Sequence, residues 1–195
     1  MTPFVAWAAA MGCVLLLLAW YLSYSAARLD RLHAKVEGAL SALDAHVVRR
    51  ADAALELANC GALDPATSVL VIGAASGSLE RVNERTFESD LLEGQHFAGR
   101  EAVESELTEA LHNALPSDVA ADIADGGGAP AAALDRLREA GLRVQLARRF
   151  HNDAVKEVQR VRAKRVVRLF RLAGHAAMPQ TVEFDDSIPG GRSLS

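Results

Sequence analysis

The residues of this chain with the widest chemical repertoire are six histidines (His33, His46, His96, His112, His151 and His175) and two cysteines, Cys13 and Cys60. Metal binding needs such residues in convergent sets, as in HExxH or two ligands one helical turn apart. No such spacing occurs and no histidine pair stands at i, i+4, so each histidine reads as a solvated or hydrogen-bonded structural residue. Cys13 sits in an apolar run and Cys60 far downstream, so no disulfide is expected between them. Ala74-Ala75-Ser76-Gly77 and Gly126-Gly127-Gly128 lack the GxxxxGK[ST] or GxGxxG spacing of a phosphate loop. No GxSxG nucleophile elbow is present, and Cys60 has no identifiable basic partner. The expectation is a chain that is not an enzyme, with no catalytic residues, no metal ligands and no cofactor.

The charged residues are more informative. Glu80 to Asp125 carries twelve acidic residues against three basic ones, whereas Arg148 to Arg171 carries nine basic residues against Asp153 and Glu157. The simplest expectation is that the two segments neutralise each other in the fold. Within the basic segment, Arg160, Arg162, Lys164, Arg165, Arg168 and Arg171 alternate with Val161, Val166, Leu169 and Phe170. Such interleaving suits pairing with the acidic helices first, and contact with an anionic lipid surface second. No nucleic-acid-binding motif is recognisable, so no nucleic-acid partner is expected. Two further groups, Arg49, Arg50 and Asp52, and Arg149, Phe150, Asn152 and Asp153, contain arginine and carboxylate that could pair across facing helices. The specific expectation is that Asn152 and Asp153 meet Arg49 or Arg50, against the plainer alternative of solvated charges.

The elements that must position these groups begin with an anchor. Phe4 to Tyr24 is almost wholly apolar, and no charged side chain precedes Arg28. Twenty-one residues in a helix span about 31 Å, close to the hydrocarbon thickness of a bilayer. Phe4, Trp7, Leu15, Leu16, Leu17, Leu18, Trp20 and Tyr21 characterise the span, with rings near both ends where the headgroup boundary would lie. A cleaved signal peptide is the competing reading, disfavoured by the length of the run and the absence of a preceding Lys or Arg. Arg28, Arg31, Lys35, Arg49 and Arg50 follow the span, so the positive-inside rule places the remaining chain in the cytoplasm under a plasma membrane. A stub of residues 1–3, a transmembrane helix at 4–25, a helical domain at 28–175 and a C-terminal arm and disordered tail at 176–195 follow from this.

Beyond the anchor the chain reads as all-α, an antiparallel bundle of about four long helices. Leu29, Leu32, Val36, Leu40, Leu43, Val47, Ala51, Ala54 and Ala58 recur at helical spacing, with Asn59-Cys60-Gly61 as a stop. Asp64-Pro65 opens a second helix that runs through the β-branched SVLVIGAASGS toward Gly94. Arg100 to Leu115 forms a third, ended by Pro116, and Ser117 to Pro130 is expected as a flexible connection. A fourth starts near Ala131 and extends to about Leu172, and Asp185 to Ser195 is expected to be disordered.

The segment LARRFHNDAV, Leu146 to Val155, resembles the LemA family of membrane-anchored helical proteins, in the style of its actinobacterial branch. Arg49-Arg50-Ala51-Asp52 is similar to the family's early motif, and Arg168 to His175 with Pro179 and Glu183-Phe184-Asp185-Asp186 to its closing arm. His151 stands where the late motif has Tyr, Ala53-Ala54-Leu55-Glu56 replaces the family's Ile-Pro-Asn-Leu, and residues 94–130 have no clear counterpart. The resemblance implies long helices on a single-pass anchor, with no catalytic residues to carry over. The expected function is a membrane-anchored interaction or scaffold protein with an unidentified protein partner. A membrane-surface lipid-binding or envelope-stress component acting through residues 160–171 is the alternative.

Overall fold

A computed structural model describes residues 3–88, 97, 99–170 and 177–189. It is all-helical over these residues, in the order α1 Pro3–Asn59, α2 Pro65–Glu88, α3 Arg100–Ala114, α4 Ser117–Gly126, α5 Gly128–Arg162 and α6 Arg165–Leu169. Anchor and first domain helix are one unbroken element of 57 residues, about 85 Å long at the usual helical rise. The reason is local: after Pro3 no proline interrupts the chain before Pro65, and Ala and Leu dominate. The helix stops at Gly61, whose φ of 76° is the left-handed conformation that glycine adopts without Cβ strain. Asp64 then caps α2, its Oδ1 accepting from the backbone N–H groups of Ala66 at 3.0 Å and Thr67 at 3.1 Å.

α2 is helical straight through its β-branched stretch. Val71, Ala75 and Ser78 lie on its buried face, whereas Val69 and Leu70 are exposed. Tertiary burial of one stripe outweighs the modest β-preference of those residues. The expected end near Gly94 lies outside the described residues.

The pairing of α1 with α5 organises the molecule. Lys35 pairs with Glu157 at 3.0 Å near one end and Arg136 with Glu56 at 2.9 Å near the other. Both pairs are separated by the same 21 residues on each helix, which defines an antiparallel register held from Lys35 to Glu56. Three apolar clusters occupy this seam in sequence. The first, nearest the anchor, joins Leu29, Leu32 and Val36 to Val155, Val158, Val161 and Val167. The second joins Leu43 and Val47 to Val144, Phe97, Val182 and Phe184. The third, farthest out, joins Ala51, Ala54 and Leu57 to α2, α3, α4 and the start of α5.

Three expectations are corrected. Residues 117–126 are not a flexible connection but the helix α4, since Ala120 and Ile123 bury one face on the outer core. The corner that follows is made by Gly127 and Gly128, both at positive φ, so α5 starts three residues earlier than expected. At its other end α5 stops at Arg162 rather than near Leu172, because Lys164 adopts an extended ψ of 135° and redirects the chain into α6; Leu172 itself lies outside the described residues. Finally, Asp185 to Pro189 is not a loose tail. It belongs to an arm, residues 177–189, packed along α5; Ser195 and its neighbours from residue 190 lie outside the described residues.

The arm runs antiparallel to α5. Arg162 Nη1 donates to the Ala177 carbonyl at 2.8 Å and Gln159 Nε2 to the Pro179 carbonyl at 2.9 Å. Asn152 makes a two-way clasp on Val182, donating to its carbonyl at 3.0 Å and accepting from its N–H at 2.9 Å. Farther out Arg148 grips the Asp186 carboxylate at 2.7 and 2.9 Å, and Ile188 lies against Gly141, where an added Cβ would stand 3.4 Å from its Cγ1. Eleven extended residues and twenty-one helical ones cover nearly the same distance, about 36 and 32 Å, so the arm needs no slack to follow the helix.

Candidate functional site

One member of each expected group, Arg50 and Asn152, is buried in the middle of the molecule, each with different partners than expected. Arg50, 3% exposed, points from α1 into α3. It donates to Glu104 Oε2 at 2.8 Å, to the Glu104 carbonyl at 3.1 Å and to Thr108 Oγ1 at 3.1 Å. Glu104 is fully buried, and its other oxygen accepts from Ser78 on α2 at 2.7 Å. Arg100, one turn earlier on α3 and 2% exposed, reaches Asp44 of α1 at 2.6 Å. Its Nη2 lies 3.7 Å from Glu104, close enough for attraction but beyond a hydrogen bond.

The arm completes this layer. Thr108 Oγ1 donates to the Asp185 carbonyl at 2.6 Å, and Phe184 inserts among the arginines. Arg50 lies 5.8 Å and Arg148 5.6 Å from the Phe184 ring, Arg100 lies 4.9 Å from Phe97, and the two rings stack at 5.7 Å. A guanidinium over an aromatic face keeps attraction where water is excluded. Breaking a buried ion pair by removing one partner costs about 3–5 kcal/mol, whereas replacing both by apolar groups can be neutral, so this layer specifies register rather than adding stability.

The expected meeting of Asn152 or Asp153 with Arg49 or Arg50 does not occur. Asn152 is occupied by Val182 and by Glu183 Oε1 at 3.1 Å, while Arg49, Asp52 and Asp153 are exposed. The cause is the arm, which lies along α5 at that level. Arg149 and Phe150 also face outward. Residues that sequence reading missed are Ser78, Arg100, Glu104 and Thr108, while Arg148 and Asp186 lay in quoted motifs without an assigned pairing. A signal existed: Arg100, Glu104 and Thr108 share the helical phase of the buried Leu107 and Leu111, and polar residues in a core phase must find partners there.

His151 is buried beside the same seam, close to the backbone of Gln180 and Val36, and its Nδ1 finds no hydrogen-bond partner among the described residues. Burial holds its pKa below the usual histidine value, against smaller opposing effects that include the Asp44 charge. His46 is lowered as well, by burial and then by Arg49 and Arg143. Among the described residues no three His, Cys, Asp or Glu side chains converge on a metal-sized site.

The second locus is the end of the domain nearest the anchor. Phe4, Trp7, Leu15, Leu16, Leu17, Leu18, Trp20 and Tyr21 are all exposed and form a continuous apolar surface. The stretch is long and apolar enough to cross a membrane. Where it ends, Tyr21, Tyr24, Ser25 and Arg28 share one small depression with Val161, Lys164, Val166 and Val167. The α5–α6 corner therefore lies at the level of the last aromatic residues of the span. Arg160, Lys164, Arg165 and Arg168 are exposed there, and among the described residues none forms an ion pair with α2, α3 or α4. Among the described residues Arg148 pairs with Asp186 and Glu183 of the arm, and the exposed cations between 160 and 168 lie at the end of α1 nearest Tyr24. Arg162 is half-buried on the arm, and Arg171 lies outside the described residues.

A second depression, between α2 and α3, exists because Gly73, Ala74 and Gly77 leave room beside Val103. Glu80, Arg81 and Glu106 rim it without converging on a point. Comparison of the chain with protein-family models, curated proteins and solved structures found no match.

Proposed function

We propose that this chain is a non-catalytic, membrane-anchored interaction protein, a single-pass anchor carrying an antiparallel bundle of four long helices on the cytoplasmic face of the plasma membrane. The observation that carries the reading is the continuity of α1. One helix exposes apolar side chains along its first half and buries a stripe of them from Leu29 onward. The anchor thus grows rigidly into the domain, and the outer end stands about 50 Å from the membrane boundary. That outer end carries the exposed carboxylates Glu106, Glu109, Asp118, Asp122 and Asp125, a surface suited to a basic partner segment. The likeness of residues 146–155 to the late LemA motif points the same way.

The test is topological. With Cys13→Ser, Cys60→Ser and Ser117→Cys, a position exposed at the start of α4, the chain should resist alkaline extraction from membranes. Its thiol should react with an impermeant reagent only after cell lysis. Recovery in the aqueous fraction would remove the anchor, and labelling in intact cells would reverse the orientation.

A further inference from the structure

We infer that the α5–α6 corner is a docking surface for anionic phospholipid headgroups, in which Arg160, Lys164, Arg165 and Arg168 meet phosphate while Leu169 and Phe170 enter the acyl boundary. The inference rests on the anchor reading and deepens it.

Position comes first. Val167 is buried against Leu29, and Lys164 and Val166 line a depression with Tyr21 and Tyr24. Tyr side chains at the end of a transmembrane helix mark the headgroup level. Because α1 is unbroken, the corner cannot swing away from that level without opening the Leu29 cluster.

Charge comes second. The carboxylates near this end are Asp30, Glu37, Asp153 and Glu157. Glu157 is engaged by Lys35 at 3.0 Å, and that bond with its charge draws the carboxyl below its ordinary pKa. Arg28 and Arg31 are exposed on α1 as well, so the end nearest the membrane carries more cations than it pairs. Such a cluster beside an anionic leaflet is attracted over about a Debye length.

Shape comes third. α6 turns Val167 inward and leaves Leu169 77% and Phe170 43% exposed. Large apolar side chains held among cations, at the depth where a span leaves the bilayer, are the composition of an interfacial segment. A nucleic acid would use the cations but not Leu169, and an acidic protein segment would not need the corner to sit at headgroup level.

The experiment uses the full chain with Cys13→Ser and Cys60→Ser, reconstituted into phosphatidylcholine vesicles with or without phosphatidylglycerol. One fluorophore replaces Leu169 through Leu169→Cys; in a parallel sample another replaces Leu16 through Leu16→Cys. Lipids carrying a quencher at the headgroup or in the acyl chain read the depth of each. The Leu169 probe should be quenched more by headgroup quencher in anionic vesicles, and salt should reverse the gain. Lys164→Gln with Arg165→Gln and Arg168→Gln should lower its docked-to-undocked ratio on the order of a hundredfold, at roughly a factor of five per cation. If Leu16 reports hydrocarbon while Leu169 responds identically to both lipids, the docking inference is overturned and the anchor stands. If Leu16 reports water, both fall. Protection of the Leu169 probe by RNA or an acidic peptide, with no response to anionic lipid, overturns the inference in favour of that ligand. Salt dependence in the unsubstituted cation background decides the matter even if the triple variant misfolds.

Discussion

The two ends of α1 solve the same burial problem differently. At the outer end seventeen buried apolar residues, many of them alanine, come from α1, α2, α3, α4 and α5. At the inner end eight suffice, from α1, α5 and α6 alone, and valine is the commonest of them. Small side chains let several helices approach closely, whereas branched ones fill the seam between α1 and α5 under the short α6. The outer end is therefore closed on all sides and can hold itself together. The inner end is thin, with exposed cations and apolar side chains on its rim.

The sharpest way to break this comparison is to remove the polar layer that lies between the ends. Glu104→Ala leaves Arg50 buried without its carboxylate and should cost about 3–5 kcal/mol in denaturant unfolding of the detergent-solubilised chain. Arg50→Met combined with Glu104→Leu should recover most of that loss. If the single variant is as stable as the parent, the layer does not couple α1 to α3. Next in size, Leu134→Ala in the outer cluster should cost about 2–5 kcal/mol, because a fully buried leucine leaves a cavity between four helices. Val158→Ala at the inner end should cost about 1–2 kcal/mol and raise amide exchange in α6 and the end of α5 before the outer helices respond. Equal exchange at both ends would erase the contrast drawn here.

Phe184→Ala tests the arm. Removing the ring that lies between Arg50 and Arg148 should cost about 2–3 kcal/mol, below a core phenylalanine because the arm is one-sided. Limited proteolysis should then cut residues 177–189 while α1 and α5 survive. The smallest effect is on pH. His151 has a folded pKa below its unfolded value, so its neutral form contributes stability that is complete above about pH 6.5. That contribution is lost as pH falls through the lowered value, so the denaturant midpoint should decline as pH drops below about 6.5. His151→Phe should flatten the decline, whereas the lowered carboxyls of Asp64 and Asp185 act only in more acid solution.

Much of this architecture was readable in the residues. Ala, Leu and the i, i+3, i+4 recurrence from Leu29 to Ala58 identified α1, and Asp64-Pro65 located the start of α2. Periodicity carries such information because one buried stripe repeats every turn. An arm was expected from the family resemblance, but not its docking: Val182 is held by Asn152 and Phe184 and Asp186 by Arg148, and no local pattern announces where an extended segment without strand partners will lie. α4 was missed because ten residues beside a glycine run resemble a linker until Ala120 and Ile123 find a core. Arg50 was singled out correctly and paired wrongly, since spacing along a helix says which face a guanidinium takes but not which helix faces it.

What the chain's own order of residues determined is a helix long and apolar enough to cross a membrane, its continuation into an amphipathic rod, and a polarity of charge along the polypeptide. Each of these depends on neighbours within a few turns. Only the tertiary arrangement decided that Glu104 rather than Asp153 answers Arg50, and that a basic corner meets Tyr21 and Tyr24. Those outcomes depend on antiparallel register, which joins residues 80 to 122 positions apart, and on the return of the C-terminal arm, which joins residues 15 to 41 apart along α5.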